Sequence, residues 1–268
     1  MPAFTGKSII ITGASSGIGR ALALELANQH AQLVLAARDE DALGKVAAEC
    51  QSRGAETLVV PTDVTVEAQC RTLVDRTLEH FGKLDVLVNN AGRAMWARFD
   101  ELDDVTVMED LMRLNYLGSV YCTYHALAPL KHARGLIVGM ASASGLMGVP
   151  MLSGYAATKH AVIGFYDSLR VELVASGVDV TVVAPDFVQS RILARALNAH
   201  GRPLDMSPLD QTRLLSAEKC ARRIVRGMAR RKRLILTSER TAWARWGRIL
   251  APWLVDRIAA ASVGVRYR

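Results

Sequence analysis

Directly after the short apolar run Ser8–Thr12, the chain reads Gly13-Ala14-Ser15-Ser16-Gly17-Ile18-Gly19 and then continues as Arg20-Ala21-Leu22-Ala23-Leu24. No other stretch constrains the fold as strongly. Glycine has no Cβ, so Gly13, Gly17 and Gly19 let the backbone reverse tightly and re-enter as a helix. The unpaired amides of that helix's first turn favour an anion, and Ser15 and Ser16 add hydroxyl donors. Strand, glycine bend and helix together form one βα unit. Such units stack into a parallel sheet covered by helices, with a phosphate-bearing ligand expected at the bend.

The rest of the chain repeats the alternation. Strand candidates follow at Gln32–Ala37, Thr57–Val60, Leu84–Asn89, Leu136–Ala141, Asp179–Ala184 and Arg233–Thr237, mostly continuous Val/Ile/Leu runs of the kind buried on both faces. Segments of helical length lie between them: Arg20–Asn28, Glu40–Arg53, Val66–His80, Val105–His132 and Tyr155–Ser176. The expected architecture is an α/β, doubly wound domain over 1–237 with a substrate loop near 186–210, followed by a basic amphipathic extension over 238–268. With 50% hydrophobic and 22% charged residues, the 268-residue chain has ample material for one large core. Its four cysteines lie far apart with no C-x-x-C pair, which argues against a disulfide framework or zinc module and fits a reducing compartment. The opening apolar run is too short for a signal segment or membrane span, so the expected location is cytoplasmic, with membrane association left to the extension.

Further signals join the glycine bend in order: Asp63-Val64, Asn89-Asn90-Ala91-Gly92, Asn115, Ser142, Tyr155-Ala156-Ala157-Thr158-Lys159 and Pro185. Over roughly residues 5–190 this set, with Thr-Gly-x-x-x-Gly-x-Gly at 12–19, resembles the short-chain dehydrogenase/reductase family. The resemblance implies a seven-stranded parallel Rossmann sheet and hydride transfer between a nicotinamide and a hydroxyl or carbonyl carbon. It places the cofactor on Gly13, Ser15, Ser16, Gly17, Ile18 and Gly19, with Asp63 at the adenine amino group and Val64 on its ring. Asn89, Ala91 and Gly92 form the turn beneath ribose and pyrophosphate. Pro185, Val188 and Ser190 meet the carboxamide, and Asp186 replaces the customary glycine there.

The strand Gln32–Ala37 ends without a carboxylate, and Arg38 follows. An acid there would accept bonds from the ribose hydroxyls, whereas a guanidinium can pair with a 2′-phosphate. NADP(H) is therefore expected, with NAD(H) the second choice; Asp39, next in sequence, is placed either to neutralise Arg38 or to take a ribose contact. Tyr155 and Lys159, four apart, share one helix face. Tyr155 is expected as the proton donor or acceptor and Ser142 as the donor to the substrate oxygen; the family resemblance further implies that Asn115, within the long central helix, holds a relay water. Lys159 is expected to bind the ribose and to lower the phenol's pKa, a shift of roughly 3 units or ~4 kcal/mol. No cluster of His, Cys, Asp or Glu suggests a metal.

Candidate substrate-lining segments are apolar: Met95 and Trp96, Leu146 to Leu152, and Phe187 to Leu197. They favour a hydrophobic, lipid- or steroid-like ketone or secondary alcohol. A 3-oxoacyl-thioester reductase and a non-catalytic NADP-sensing protein are the alternatives. From Arg213 onward lie 15 of the 33 Lys+Arg but only three of the 26 Asp+Glu, so the net charge of +7 resides in the last fifth of the chain. There Trp243, Trp246, Ile249, Leu250, Trp253, Leu254 and Ile258 recur at helical spacing among Arg245, Arg248 and Arg257, with Pro252 breaking the run. This stripe suits a membrane interface, the protein's own substrate entrance or a second subunit of a homodimer or homotetramer. No recognised nucleic-acid module accompanies the arginines, and no nucleic-acid partner is expected.

Overall fold

The computed structural model describes residues 2–210, 212 and 214–264. The last four residues of the expected extension and Arg213 lie outside the described residues. Strands β1 (Ser8–Thr12), β2 (Gln32–Ala37), β3 (Glu56–Pro61), β4 (Val86–Asn89), β5 (Leu136–Met140) and β6 (Asp179–Ala184) enter one sheet. A short parallel pair, β7 (Val188–Gln189) and β8 (Leu215–Ser216), frames the irregular stretch between them, and β9 (Leu234–Leu236) returns to the main sheet. The sheet has seven strands in the order β3-β2-β1-β4-β5-β6-β9, all of them parallel. The order reverses at β1, so a crevice opens beyond the carboxyl ends of β1 and β4, where open α/β sheets bind ligands.

Strand alternation divides the core. Ile9, Ile11, Leu33 and Leu35 face one apolar layer, and Ile10, Val34 and Ala36 face the other. The first layer is closed by helices α1 (Gly17–Ala27) and α2 (Glu40–Gln51), the second by α3 (Glu67–Phe81). Ile9, Ile10 and Ile11 are fully buried, each worth roughly 2 kcal/mol of hydrophobic stabilisation. Because both faces are covered, these strands read as unbroken apolar runs.

The expected single helix over 105–132 is three elements: α4 (Thr106–Met112), a π turn (Arg113–Leu117) and α5 (Gly118–Ala133). The widened turn closes with the Gly118 amide bonding to the Arg113 carbonyl. Gly118 marks the reason: a Cβ there would sit 2.7 Å from Val64 Cγ2, so the backbone is pressed against the loop after β3. Helix α6 (Ser153–Glu172) carries Tyr155 and Lys159, and α7 (Ala217–Ala229) packs its apolar face on the α1 layer. The extension forms α8 (Glu239–Leu250) and α9 (Pro252–Ser262), separated where Pro252 opens the second helix. None of the described helices is long and apolar enough to cross a membrane.

Candidate active site

Beyond the carboxyl ends of the central strands lies a cavity of about 830 Å³. Its floor is the glycine bend. Gly13 and Gly17 take φ of +66° and +56°, which side chains rarely adopt. A Cβ on Gly13 would lie 2.9 Å from Ala91 Cα, and one on Gly19 would lie 2.2 Å from the Gly13 carbonyl oxygen. Thr12 and Asn90 staple this bend to the loop after β4. The Asn90 and Ala91 amides donate to Thr12 Oγ1 at 2.9 and 3.0 Å, and Asn90 Nδ2 donates to the Thr12 carbonyl at 2.8 Å. In the sequence Asn90 reads only as part of a turn signal, because its partner Thr12 lies 78 positions away.

Of the expected cofactor residues, Gly13, Ser15, Ser16, Gly17, Ile18, Arg38, Asp63, Val64, Ala91, Gly92, Pro185, Val188 and Ser190 line the cavity. Gly19 and Asn89 stand behind this lining. Gly19 is buried in the first turn of α1, where its missing side chain admits the Gly13 carbonyl. Asn89 is 2% exposed and points into the core. Its Nδ2 donates to Tyr166 Oη at 2.7 Å and Thr123 Oγ1 at 2.9 Å, tying β4 to α5 and α6.

The cavity suits a dinucleotide on physical grounds. Ser16 caps α1 without using its side chain on the helix, so the first-turn amides and both serine hydroxyls face the crevice. Asp39 is engaged elsewhere: its carboxylate accepts from the Ala42 amide at 3.0 Å as the N-cap of α2. Arg38 is exposed, and its nearest carboxylate oxygen, on Asp63, is 4.0 Å away. Burial raises the Asp63 pKa, but Thr65 outweighs it by donating amide and hydroxyl bonds at 2.9 and 2.8 Å. With Arg38 nearby, the carboxyl is held below its ordinary range.

At the other end, Ser142 follows β5 and opens a 3-10 turn (Ala143–Gly145), its Oγ accepting from the Ser144 amide at 3.2 Å. The same hydroxyl lies near enough to the Tyr155 hydroxyl to pull its pKa down, so the two groups meet where a carbonyl oxygen would sit. Lys159 Nζ lies 5.6 Å from the centre of the Tyr155 ring and donates to the Met140 carbonyl at 2.7 Å. Both side chains are buried, and burial acts on each. Burial pushes the phenol up to about 12, with only Ser142 opposing it, and pushes the ammonium down to about 8.

For Asn115 it is the expected regular helix that is corrected. It sits in the π turn rather than in a regular helix, is fully buried and does not line the cavity. Its Oδ1 accepts from the Arg93 amide at 2.9 Å, while Nδ2 donates to the Arg93 carbonyl and Thr158 Oγ1. Its side chain therefore positions the strand-end loop against the helix bearing Tyr155 and Lys159.

The substrate end is apolar. Met147, Val149, Leu152, Phe187, Ile192 and Leu193 line it, while Met95 is buried behind the wall, where its sulfur accepts from the Gly154 amide. Trp96 likewise packs behind the wall. The extension completes this end: Trp243, Leu254, Val255 and Ile258 all face the cavity. Asp186 holds the extension in place. Arg240 donates Nη2 to its Oδ1 at 2.7 Å and Nε to its Oδ2 at 3.0 Å, and the Ser238 hydroxyl and Phe187 amide each add a bond at 2.8 Å. Burial raises this carboxyl's pKa, but the Arg240 pair outweighs it and the net shift is downward. Asp186 is not among the positive-φ residues, so the left-handed strain that glycine would relieve is not present there. A second anchor comes from Arg248, which donates to the Leu146 carbonyl and to His160 Nε2, both at 3.0 Å.

A parallel sheet with a glycine-bent anion site at its switch point, beside a Tyr–Lys–Ser cluster, defines a dinucleotide-dependent oxidoreductase fold and site. Comparison with known proteins agrees. The short chain dehydrogenase family model matches residues 7–200. An 11-beta-hydroxysteroid dehydrogenase A of Sesamum indicum is 38% identical over 272 residues, covering 97% of this chain and 77% of the relative. An 11-beta-hydroxysteroid dehydrogenase-like 4A of Arabidopsis thaliana is 40% identical over 250 residues, covering 93% and 80%. Among solved structures, a short chain dehydrogenase/reductase from Burkholderia phymatum in complex with NAD superposes with a TM-score of 0.83 at 29% identity, covering 96% of this chain and 97% of that one. An alcohol dehydrogenase from Thermococcus sibiricus complexed with 5-hydroxy-NADP gives 0.74 at 27%, covering 86% and 95%. The chain belongs to the short-chain dehydrogenase/reductase family and is an oxidoreductase acting on hydroxyl or carbonyl groups.

Proposed function

We propose that the protein is an NADP(H)-dependent oxidoreductase of hydrophobic ketones and secondary alcohols of lipid or steroid size. The observation that carries this reading is one continuous cavity. It joins the glycine bend and an uncapped Arg38 at one end to the Tyr155–Ser142 pair and an apolar wall at the other. Ser15, Ser16 and the α1 amides would hold the pyrophosphate, and Arg38 the 2′-phosphate. When bound, the nicotinamide supplies or accepts the hydride. Ser142 and Tyr155 both orient the substrate oxygen. Tyr155 gives its proton to that oxygen during reduction and takes it back during oxidation. A phenol near 12 is a good reservoir for the first direction, and the second needs positive charge close by. Lys159, 5.6 Å from the ring, supplies it below pH 8. The apolar wall excludes water and selects for bulk.

The plant relatives' names, those of hydroxysteroid dehydrogenases, agree with a steroid-like substrate. A cytoplasmic setting and a homodimer or homotetramer belong to the same reading. The first is supported by four free, buried cysteines and the second by the exposed Tyr124 on α5 and Val171 on α6. The test is oxidation of NADPH, and separately NADH, against a panel of steroid ketones, aliphatic ketones and acyl thioesters. Turnover of steroid ketones with NADPH, weakened about tenfold or more by Arg38→Ala without comparable loss with NADH, is expected. Preference for acyl thioesters, or equal use of both cofactors, would overturn the reading.

A further inference from the structure

Six cationic side chains and three carboxylates line the cavity. The carboxylates are already engaged. Asp39 caps α2, Asp186 holds Arg240, and Asp63 accepts from Thr65 with Arg38 at 4.0 Å. Lys159 donates to the Met140 carbonyl. Arg93, Arg191 and Arg195 are left, and among the described residues none of these three guanidinium groups has a hydrogen-bond or ion-pair partner. Arg191 and Arg195 are exposed, so water serves them. Arg93 is half-buried. A cation withdrawn from water without a partner is unfavourable, and a cavity that keeps one calls for an anion.

The fold holds Arg93 in that position. Its amide donates to Asn115 Oδ1 at 2.9 Å, and its carbonyl accepts from Asn115 Nδ2 at 3.0 Å. Just beyond it, the Leu197 amide donates to the Ala94 carbonyl at 3.0 Å and the Trp96 amide to the Leu197 carbonyl at 2.8 Å. This parallel bridge between Met95 and Leu197 brings Arg195 alongside Arg93, each two positions before its bridged residue. Burial lowers the Arg93 pKa, and the charges of Arg38 and Arg195 lower it further; Asp110, on α4, opposes them without reversing the shift. Arg38 acts more strongly than Arg195, so the guanidinium lies toward the end of β2, where Asp63, Val64 and Leu114 also line the cavity. Arg93 thus stands between two like charges, an arrangement that an entering anion relieves.

The chemistry of that end selects the anion. The pyrophosphate has its own donors at the glycine bend, and the Tyr155–Ser142 pair lies at the other end. What remains beside Arg38 is a phosphate on the adenosine ribose, close to doubly charged at neutral pH and broad enough for two guanidinium groups. We propose that Arg93 is a second reader of this 2′-phosphate, gripping it from the loop after β4 while Arg38 grips it from the end of β2. Arg195 brings a third positive charge from the 186–210 stretch. This role rests on the NADP(H) reading and adds a specificity residue to it. Arg38 is exposed, whereas Arg93 is half-buried, so water screens its hold on the phosphate less.

The experiment is fluorescence titration of the full chain with NADPH and with NADH, which needs neither a carbonyl substrate nor turnover. Arg93→Gln is expected to weaken NADPH about tenfold and NADH by less than about twofold. Arg93→Lys should recover part of the loss, since it returns the charge without the planar fork. Arg93→Gln combined with Arg38→Ala should bring the two dissociation constants together. Without cofactor, Arg93→Gln should melt no lower than the unaltered chain, because it removes an unpartnered cation from between two others. In the unaltered chain NADPH should raise the melting temperature more than NADH does, and Arg93→Gln should shrink that difference. No preference in the unaltered chain would overturn the NADP(H) reading and this role with it. A preference that survives Arg93→Gln would overturn the role of Arg93 alone. Equal loss on both cofactors would do the same, by putting the guanidinium on the pyrophosphate or in the packing.

Discussion

The two ends of the cavity are built on opposite plans. At the glycine end the ligand-facing groups are backbone amides and short side chains, fixed by glycines that tolerate no Cβ and by the Thr12–Asn90 staple. At the substrate end the wall consists of long side chains from the 186–210 stretch and from α8 and α9. Among the described side chains of those two helices, few are buried: Thr241, Val255, Ala259 and Ala260. Polar anchors do much of the holding there, Arg240 on Asp186 and Arg248 on Leu146 and His160. A rigid cradle suits a ligand common to every turnover. A lightly attached wall suits selectivity, because it can be altered without disturbing the sheet.

The comparison can be broken most severely at the point where the two ends meet. Tyr155→Phe removes the only proton the assigned chemistry transfers, and turnover is expected to fall about 10³-fold or more, with NADPH binding nearly unchanged by fluorescence titration. Residual activity within tenfold of the unaltered enzyme would show that the proton comes from elsewhere. Lys159 tests the rigid side. Its folded pKa of about 8 lies below the ordinary 10.5, so the unfolded chain binds more protons between those values. Stability should therefore rise as pH increases from about 8 to 10.5, and below pH 8 the buried ammonium should cost about 3 kcal/mol. Lys159→Met should remove that slope, raise the melting temperature near neutrality and abolish turnover. An unaltered slope in the variant would mean that another group carries it.

The smallest effect belongs to the selective end. Asp186→Ala and Arg240→Ala each break a pair in which the carboxylate is largely buried and the guanidinium about half exposed, so the expected cost is ~1 kcal/mol. KM for a bulky apolar ketone should rise about fivefold while kcat for a small carbonyl is retained. The double variant should be no worse than either single one, because both remove the same contact. Equal losses on small and bulky substrates would show that Asp186 serves the nicotinamide end instead.

Much of the rigid end could be read from the chain because its signals are local. The apolar run at 8–12, the glycines within the next seven positions and the four-residue spacing of Tyr155 and Lys159 each follow from neighbours in sequence. Asn89 shows where such reading stops. It stands inside a turn signal, yet its amide serves Tyr166, 77 positions away. Asn115 was placed in a regular helix because hydrophobic period cannot reveal a π turn; the press of Gly118 on Val64 comes from packing between two elements. The tail's arginines and tryptophans could be counted, but not sorted into those facing the cavity and those facing outward.

By itself the sequence determined the alternation of strand and helix, the anion-binding bend, the absence of an acid at the end of β2 and the catalytic residue types, because each is a property of adjacent backbone and side-chain chemistry. Only the tertiary structure decided that Asp186 clasps Arg240 across 54 positions, that burial raises the Tyr155 phenol and lowers the Lys159 ammonium, and that one face of α8 and α9 closes the cavity while the other stays bare. Desolvation and long-range pairing depend on which distant groups share a volume, and that is fixed when the sheet and its covering helices assemble.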